Sequence, residues 1–71
     1  MIVDTTALVA IVLRESDGPT YLRAILAERG GVRISAASLV ELGMVVEGRA
    51  GPAAGAELDD LLQRLDLIVY P

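Results

Sequence analysis

Apolar residues along the chain fall into short continuous runs that alternate with longer stretches of helical spacing. Met1-Ile2-Val3-Asp4 is brief and apolar, as a strand covered on both faces should be. From Thr5 to Arg14 the positions Leu8, Val9, Ile11 and Val12 fit a buried helix better than an alternating strand, against the lower helix propensity of their β-branched members. Ser16-Asp17-Gly18-Pro19 supplies turn and cap chemistry, with Pro tolerated in a first helical turn. The spacing then predicts a helix from about Pro19 to Arg29, with Tyr21, Leu22, Ile25 and Leu26 on one face and Gly30-Gly31 as its stop. Val32 to Ser35 reads as a second strand. The stretch from about Ala37 to Arg49 reads as a third helix with Leu39, Leu42 and Val46 facing inward, its end loosened by Gly48 and Gly51. Pro52 opens a fourth helix in which Leu58, Leu61, Leu62 and Leu65 follow the i, i+3, i+4, i+7 template, and Leu67 to Tyr70 reads as a third strand.

About three strands and four helices in this order are the pattern of successive crossover units on a parallel sheet. The expected fold is therefore α/β. A single unit is the limit, because a chain of 71 residues buries only about 60% of the surface it exposes when unfolded. The chain stops at Pro71, directly after a strand, with no helix to cover that strand. Half of a doubly wound domain is expected rather than a small complete one.

Composition narrows the chemistry. The sequence is 54% hydrophobic but only 3% aromatic, so its core must be built from Ala, Val, Leu and Ile, as in tightly packed helix-on-sheet layers. It has no Cys and no His, which leaves only oxygen ligands for any metal and favours Mg²⁺ or Mn²⁺ over zinc. A net charge of -4 argues against broad attraction to nucleic acid, so RNA, if bound, is bound locally. All six basic residues are Arg, the side chain that meets a phosphate bidentately; solvated helix faces and ion pairs are the ordinary use of such residues. Ile2 to Leu13 is apolar, but Asp4 interrupts it, no basic residue precedes it, and a membrane span needs about 20 residues. A cytoplasmic protein with no membrane partner is expected.

Two acids stand where a parallel sheet collects ligands, beyond the carboxyl ends of its strands. Asp4 ends the first strand. Glu41 lies six residues after Ser35, in what reads as the opening turn of the third helix. Two carboxylates from different strands suffice to begin a Mg²⁺ site, since that ion keeps several waters. Each also has a structural explanation: Asp4 suits an N-cap, and Ser38-Leu39-Val40-Glu41 fits a capping box. Glu57, Asp59 and Asp60 complement a helix dipole and face solvent, and Glu47 reads as paired with Arg49 or solvated.

The sequence around the two acids carries a resemblance. Met-Ile-Val-Asp4-Thr-Thr6-Ala-Leu-Val-Ala resembles the opening of PIN domains, a hydrophobic strand ending in Asp with Ser or Thr two residues on. Ile34-Ser-Ala-Ala-Ser38-Leu-Val-Glu41-Leu is similar to their second motif, in which small hydroxyl residues lead to a metal-binding Glu. Arg49 through Gly51-Pro52 to Leu58-Asp59 also has the look of the VapC toxin subgroup. The resemblance spans the whole chain as the N-terminal part (1-71) of a single PIN domain, and implies the three-layer α/β/α parallel sheet of that fold. It implies a metal-dependent endoribonuclease toxin of a type II toxin-antitoxin system, hydrolysing RNA with a water activated by Mg²⁺ or Mn²⁺. Asp4 and Glu41 carry over as metal ligands and catalytic acids. Thr6 carries over as a hydroxyl that helps hold Asp4 or a metal-bound water. The partners implied are an RNA substrate, a cognate VapB-type antitoxin and a second copy in a homodimer. The family's further acids, in a Gly-Asp motif and downstream of it, have no counterpart here.

That gap leaves a second reading open: a catalytically incomplete PIN fragment that only binds an antitoxin or associates with itself. Metal-dependent cleavage separates the two. Phosphoacceptor receivers, P-loop proteins and dinucleotide folds are set aside, for the chain has no Lys and neither Gly-rich motif.

Overall fold

The strand β1 (Arg33–Ser35) lies between two other extended segments, and this central place fits its Ile34, which is wholly buried. The computed structural model describes residues 1–71. On one side β1 pairs in parallel with β2 (Ile68–Tyr70), in the register Arg33 to Ile68, Ile34 to Val69 and Ser35 to Tyr70. On the other side Ile2 forms a single parallel bridge with Arg33, held by hydrogen bonds from the Val3 amide to the Arg33 carbonyl and from the Arg33 amide to the Met1 carbonyl. The first strand expected from the sequence is thus a one-pair bridge. Val3 passes at once into Asp4, the N-cap of the next helix, so the extended run is too short for a ladder.

Three helices complete the chain: α1 (Thr5–Val12), α2 (Gly18–Leu26) and α3 (Ala36–Leu65). The third and fourth helices expected from the sequence are merged into α3, with Gly51 at φ 82° and ψ -179° as a non-helical joint between them. Only Gly tolerates that conformation readily, and Pro52 behind it restarts the helix as a first-turn residue should. The mixed α/β architecture with parallel pairing is as expected, with fewer separate elements.

The α1 helix packs against both α2 and α3, while α3 also packs on both strands. Leu8, Ile34, Leu42 and Val46, one or two from each of α1, β1 and α3, are fully buried at the centre. Truncating Leu8, Ile34 or Leu42 to Ala costs roughly 2–5 kcal/mol at sites of this kind. The α1–α2 contact is close because Gly18 has no side chain: a Cβ there would stand 2.6 Å from the Ala10 carbonyl oxygen. The α2 helix ends at Leu26, three residues before the Arg29 expected, and Leu26 itself is 67% exposed rather than inward-facing. The Glu28 carboxylate explains the early stop, since it accepts from the Arg29 and Gly30 amides and folds the chain away from the helix axis.

The end of α1 is a Schellman turn. The Glu15 amide donates to the Ala10 carbonyl and the Arg14 amide to the Ile11 carbonyl, with Arg14 left-handed at φ 56°. This turn aims two neighbouring charges apart. Arg14 meets Glu57 and Glu15 meets Arg49, so α1 is tied to α3 on both sides of the Gly51 joint. No helix is long and apolar enough to cross a membrane.

Candidate functional site

The sheet register decides where the acids go. Because Ile2 stands opposite Arg33 in a parallel pair, Asp4 and Ser35, each two residues further on, reach the same end of the sheet. Both are N-caps. The Asp4 carboxylate accepts from the Ala7 amide at 3.3 Å, and the Ser35 hydroxyl oxygen accepts from the Ser38 amide at 3.0 Å. The helices α1 and α3 therefore start side by side from one rim.

Ser35, not Ser38, caps α3, and this changes the standing of Glu41. The capping box that Ser38 and Glu41 would have formed does not exist, because Ser38 is already inside the helix and its hydroxyl oxygen accepts from the Ser35 hydroxyl at 2.8 Å. Glu41 falls in the second turn rather than the opening one. It is exposed and enters no ion pair, and its Cα–Cβ bond, like every one on a helix, tilts toward the helix N-terminus. Its carboxylate has no structural task.

A cleft between α1 and α3 is lined by Thr5, Thr6, Val9, Glu15, Glu41, Val45 and Arg49. Thr6 and Glu41 are thus brought together. Asp4 adjoins Thr5 in the chain but lines the neighbouring groove with Val3, Ala7, Tyr21 and Ile25. One of its oxygens serves the cap and the other is free to act elsewhere. Nowhere in the molecule do three or more acidic side chains converge on a point.

Two lining residues were not picked out by sequence reasoning. Glu15 is carried into the cleft by the Schellman turn. Arg49 lies eight residues, about two turns, after Glu41 on the same face of α3 and pairs with Glu15 at 3.4 Å, not with Glu47. The i, i+4, i+8 spacing of Glu41, Val45 and Arg49 was the available signal. Glu57 and Asp60, read as solvated, are exposed and paired with Arg14 and Arg64.

The donors near the rim fit a hard cation. They are carboxylate and hydroxyl oxygens, the donor type that Mg²⁺ prefers. At the opposite end of the strands, beside Met1, one carboxyl group is electrostatically perturbed. Glu28 is held below the ordinary carboxylate range, first by the Gly30 amide, then by the N-terminal ammonium of Met1, which lies 3.2 Å away, and by the Arg29 amide. It fixes the start of the segment that delivers Asp4.

Comparison with known proteins shows the family. The family model for the PIN domain matches residues 1–70. Over all 71 residues the chain is 39% identical both to the VapC ribonuclease Mb0625 of Mycobacterium bovis and to the ribonuclease VapC28 of Mycobacterium tuberculosis, covering 53% of each. It is 41% identical over 64 residues to a ribonuclease VapC of Mycolicibacterium smegmatis, covering 90% of this chain and 49% of that one. The chain spans about half the length of these relatives. With the paired caps, the shared rim and these matches in hand, the chain belongs to the PIN-domain family.

Proposed function

We propose that the chain is the N-terminal part of a metal-dependent endoribonuclease of the toxin type, with Asp4 and Glu41 as ligands of one Mg²⁺ or Mn²⁺ ion. The observation that carries this reading is Glu41: an exposed carboxylate with no cap and no ion pair, sharing a cleft with Thr6 at the rim where Asp4 begins α1. Its setting within a PIN domain whose relatives are ribonucleases supplies the reaction class.

When bound, the cation supplies positive charge to a phosphodiester oxygen and acidity to a water. The protein's own part is positional. Asp4 is fixed by its bond to the Ala7 amide, so its free oxygen is presented from a rigid cap. Glu41 is presented from a helix anchored through Leu42 and Val46 in the core. Thr6 offers a hydroxyl that holds a water or the Asp4 carboxylate in line. An RNA substrate, a VapB-type antitoxin and a second copy of the chain in a homodimer belong to the same reading, as does the three-layer α/β/α sheet of a full PIN domain.

A second reading has its own support. With no convergence of three acids, this chain by itself offers at most a partial coordination shell, which suits a fragment that binds an antitoxin or itself and does not cut. Incubation of the chain with a mixed RNA pool and Mn²⁺ separates the two. Cleavage that EDTA abolishes, and that Asp4→Asn and Glu41→Gln each reduce at least about a hundredfold while circular dichroism stays unchanged, is expected of the nuclease. Folded protein that leaves the RNA intact supports the binding fragment.

A further inference from the structure

The PIN reading uses the two acids and Thr6 but leaves the other end of the cleft without a task. There Arg49 meets Glu15. We propose that Arg49 is the residue that holds an RNA phosphate beside the reacting one, and that Glu15 competes with that phosphate for the guanidinium. The proposal rests on the nuclease reading above.

Position is the first argument. Of the six arginines, Arg49 alone lines the cleft that contains Thr6 and Glu41. Arg14 and Arg64 line a different groove, with Glu57 and Asp60. Eight residues of helix place the Arg49 backbone about 12 Å beyond that of Glu41. A guanidinium at that remove serves a flanking phosphate of the strand and not the phosphodiester at the metal.

The weakness of the existing pair is the second. One guanidinium nitrogen of Arg49 approaches one Glu15 oxygen at 3.4 Å, long for a charged hydrogen bond, and the two side chains are 56% and 39% exposed. Such a pair contributes little and exchanges readily. A phosphate offers the guanidinium a two-point contact that Glu15 does not make here.

Charge is the third. A chain of net charge -4 does not gather RNA through its overall field. Binding has to be local, and the cleft contains one cation and two carboxylates.

The test is binding of a fluorescein-labelled single-stranded oligoribonucleotide of random sequence, read by anisotropy in EDTA so that neither cleavage nor metal contributes. Arg49→Ala is expected to weaken binding on the order of tenfold and to lower the slope of log affinity against log salt by about one. Arg49→Lys restores the slope and only part of the affinity. Glu15→Gln tightens binding roughly two- to fivefold, a gain that disappears when Arg49→Ala is added. Arg14→Ala, an equal loss of charge at an exposed site outside the cleft, leaves affinity and slope near those of the parent. The proposal is overturned if the parent does not bind, if Arg49→Ala matches Arg14→Ala, or if Glu15→Gln binds no tighter. None of these measurements depends on Asp4 or Glu41. A parent that binds RNA through Arg49 yet leaves it uncut when Mn²⁺ is added would sink the nuclease assignment and leave the phosphate contact standing.

Discussion

Asp4 caps α1 with one carboxylate oxygen and keeps the other unengaged. Its cap bond to the Ala7 amide was legible in the sequence, because Asp before an apolar helix is a favoured N-cap. The bond does not exclude a ligand role, since a carboxylate has a second oxygen. For Glu41 the sequence offered a cap that the structure gives to Ser35, and the reason is register: β1 delivers Ser35 straight into α3 with no intervening loop. A Ser followed by another three residues later left two places where α3 could begin, and pattern alone did not choose between them. The Glu28 carboxylate was not legible at all, for its partners are backbone amides and the N-terminal ammonium of Met1. Its lowered pKa has a consequence for stability. A depressed carboxylate pKa means the contribution is present above the unfolded value, about 4.3 for Glu, and is lost as pH falls through the folded one. Glu28→Gln is expected to melt at a lower temperature than the parent at pH 7, and the two melting temperatures should converge as the pH drops below about 4. Thermal melts at pH 7, 5 and 3 check this; an equal difference at all three would contradict it.

Among the elements, the two parts of α3 are legible in the sequence, while their union into one element is not. Gly51-Pro52 announced a boundary, and Leu58, Leu61, Leu62 and Leu65 lie buried or half-buried along one face as their spacing required. What the sequence did not show is that the boundary would be a joint inside one continuous element, with a single residue leaving helical geometry. Arg14 and Glu15 bridge that joint from the side, each through an exposed ion pair worth roughly 0–1 kcal/mol. Backbone geometry, not these pairs, therefore holds the bend. Gly51→Ala is expected to destabilise the chain by about 1–3 kcal/mol, although nothing lies within 4 Å of where the added methyl would sit. Urea denaturation measures this directly, and a variant as stable as the parent would show that the joint relaxes into a straight helix without loss. The strands were the weakest part of the reading, since runs of three residues carry too little periodicity to show where pairing stops.

At the scale of the molecule, the Cα radius of gyration is 11.2 Å, close to the roughly 11 Å of a compact globule of this length. The chain thus closes around its own core, although it matches only about half of its relatives. The edges of the sheet remain open. Ile2 is 71% exposed on one edge, and Ile68 and Val69 are each 49% exposed on the other segment, β2. Unpaired apolar edges are templates for another chain. Sedimentation at micromolar concentrations is expected to show self-association that Ile2→Lys reduces, as a charge on an edge strand should. A parent that stays monomeric would count against it.

The nuclease reading requires Asp4 and Glu41 to act on one cation. Free Mn²⁺ measured by electron paramagnetic resonance during titration of the folded chain checks this with a readout that does not require activity. One bound ion per chain, with affinity lowered at least about tenfold by Asp4→Asn and equally by Glu41→Gln, is the expected result. Binding that survives either substitution unchanged, or a parent that binds no Mn²⁺ at all, would contradict it.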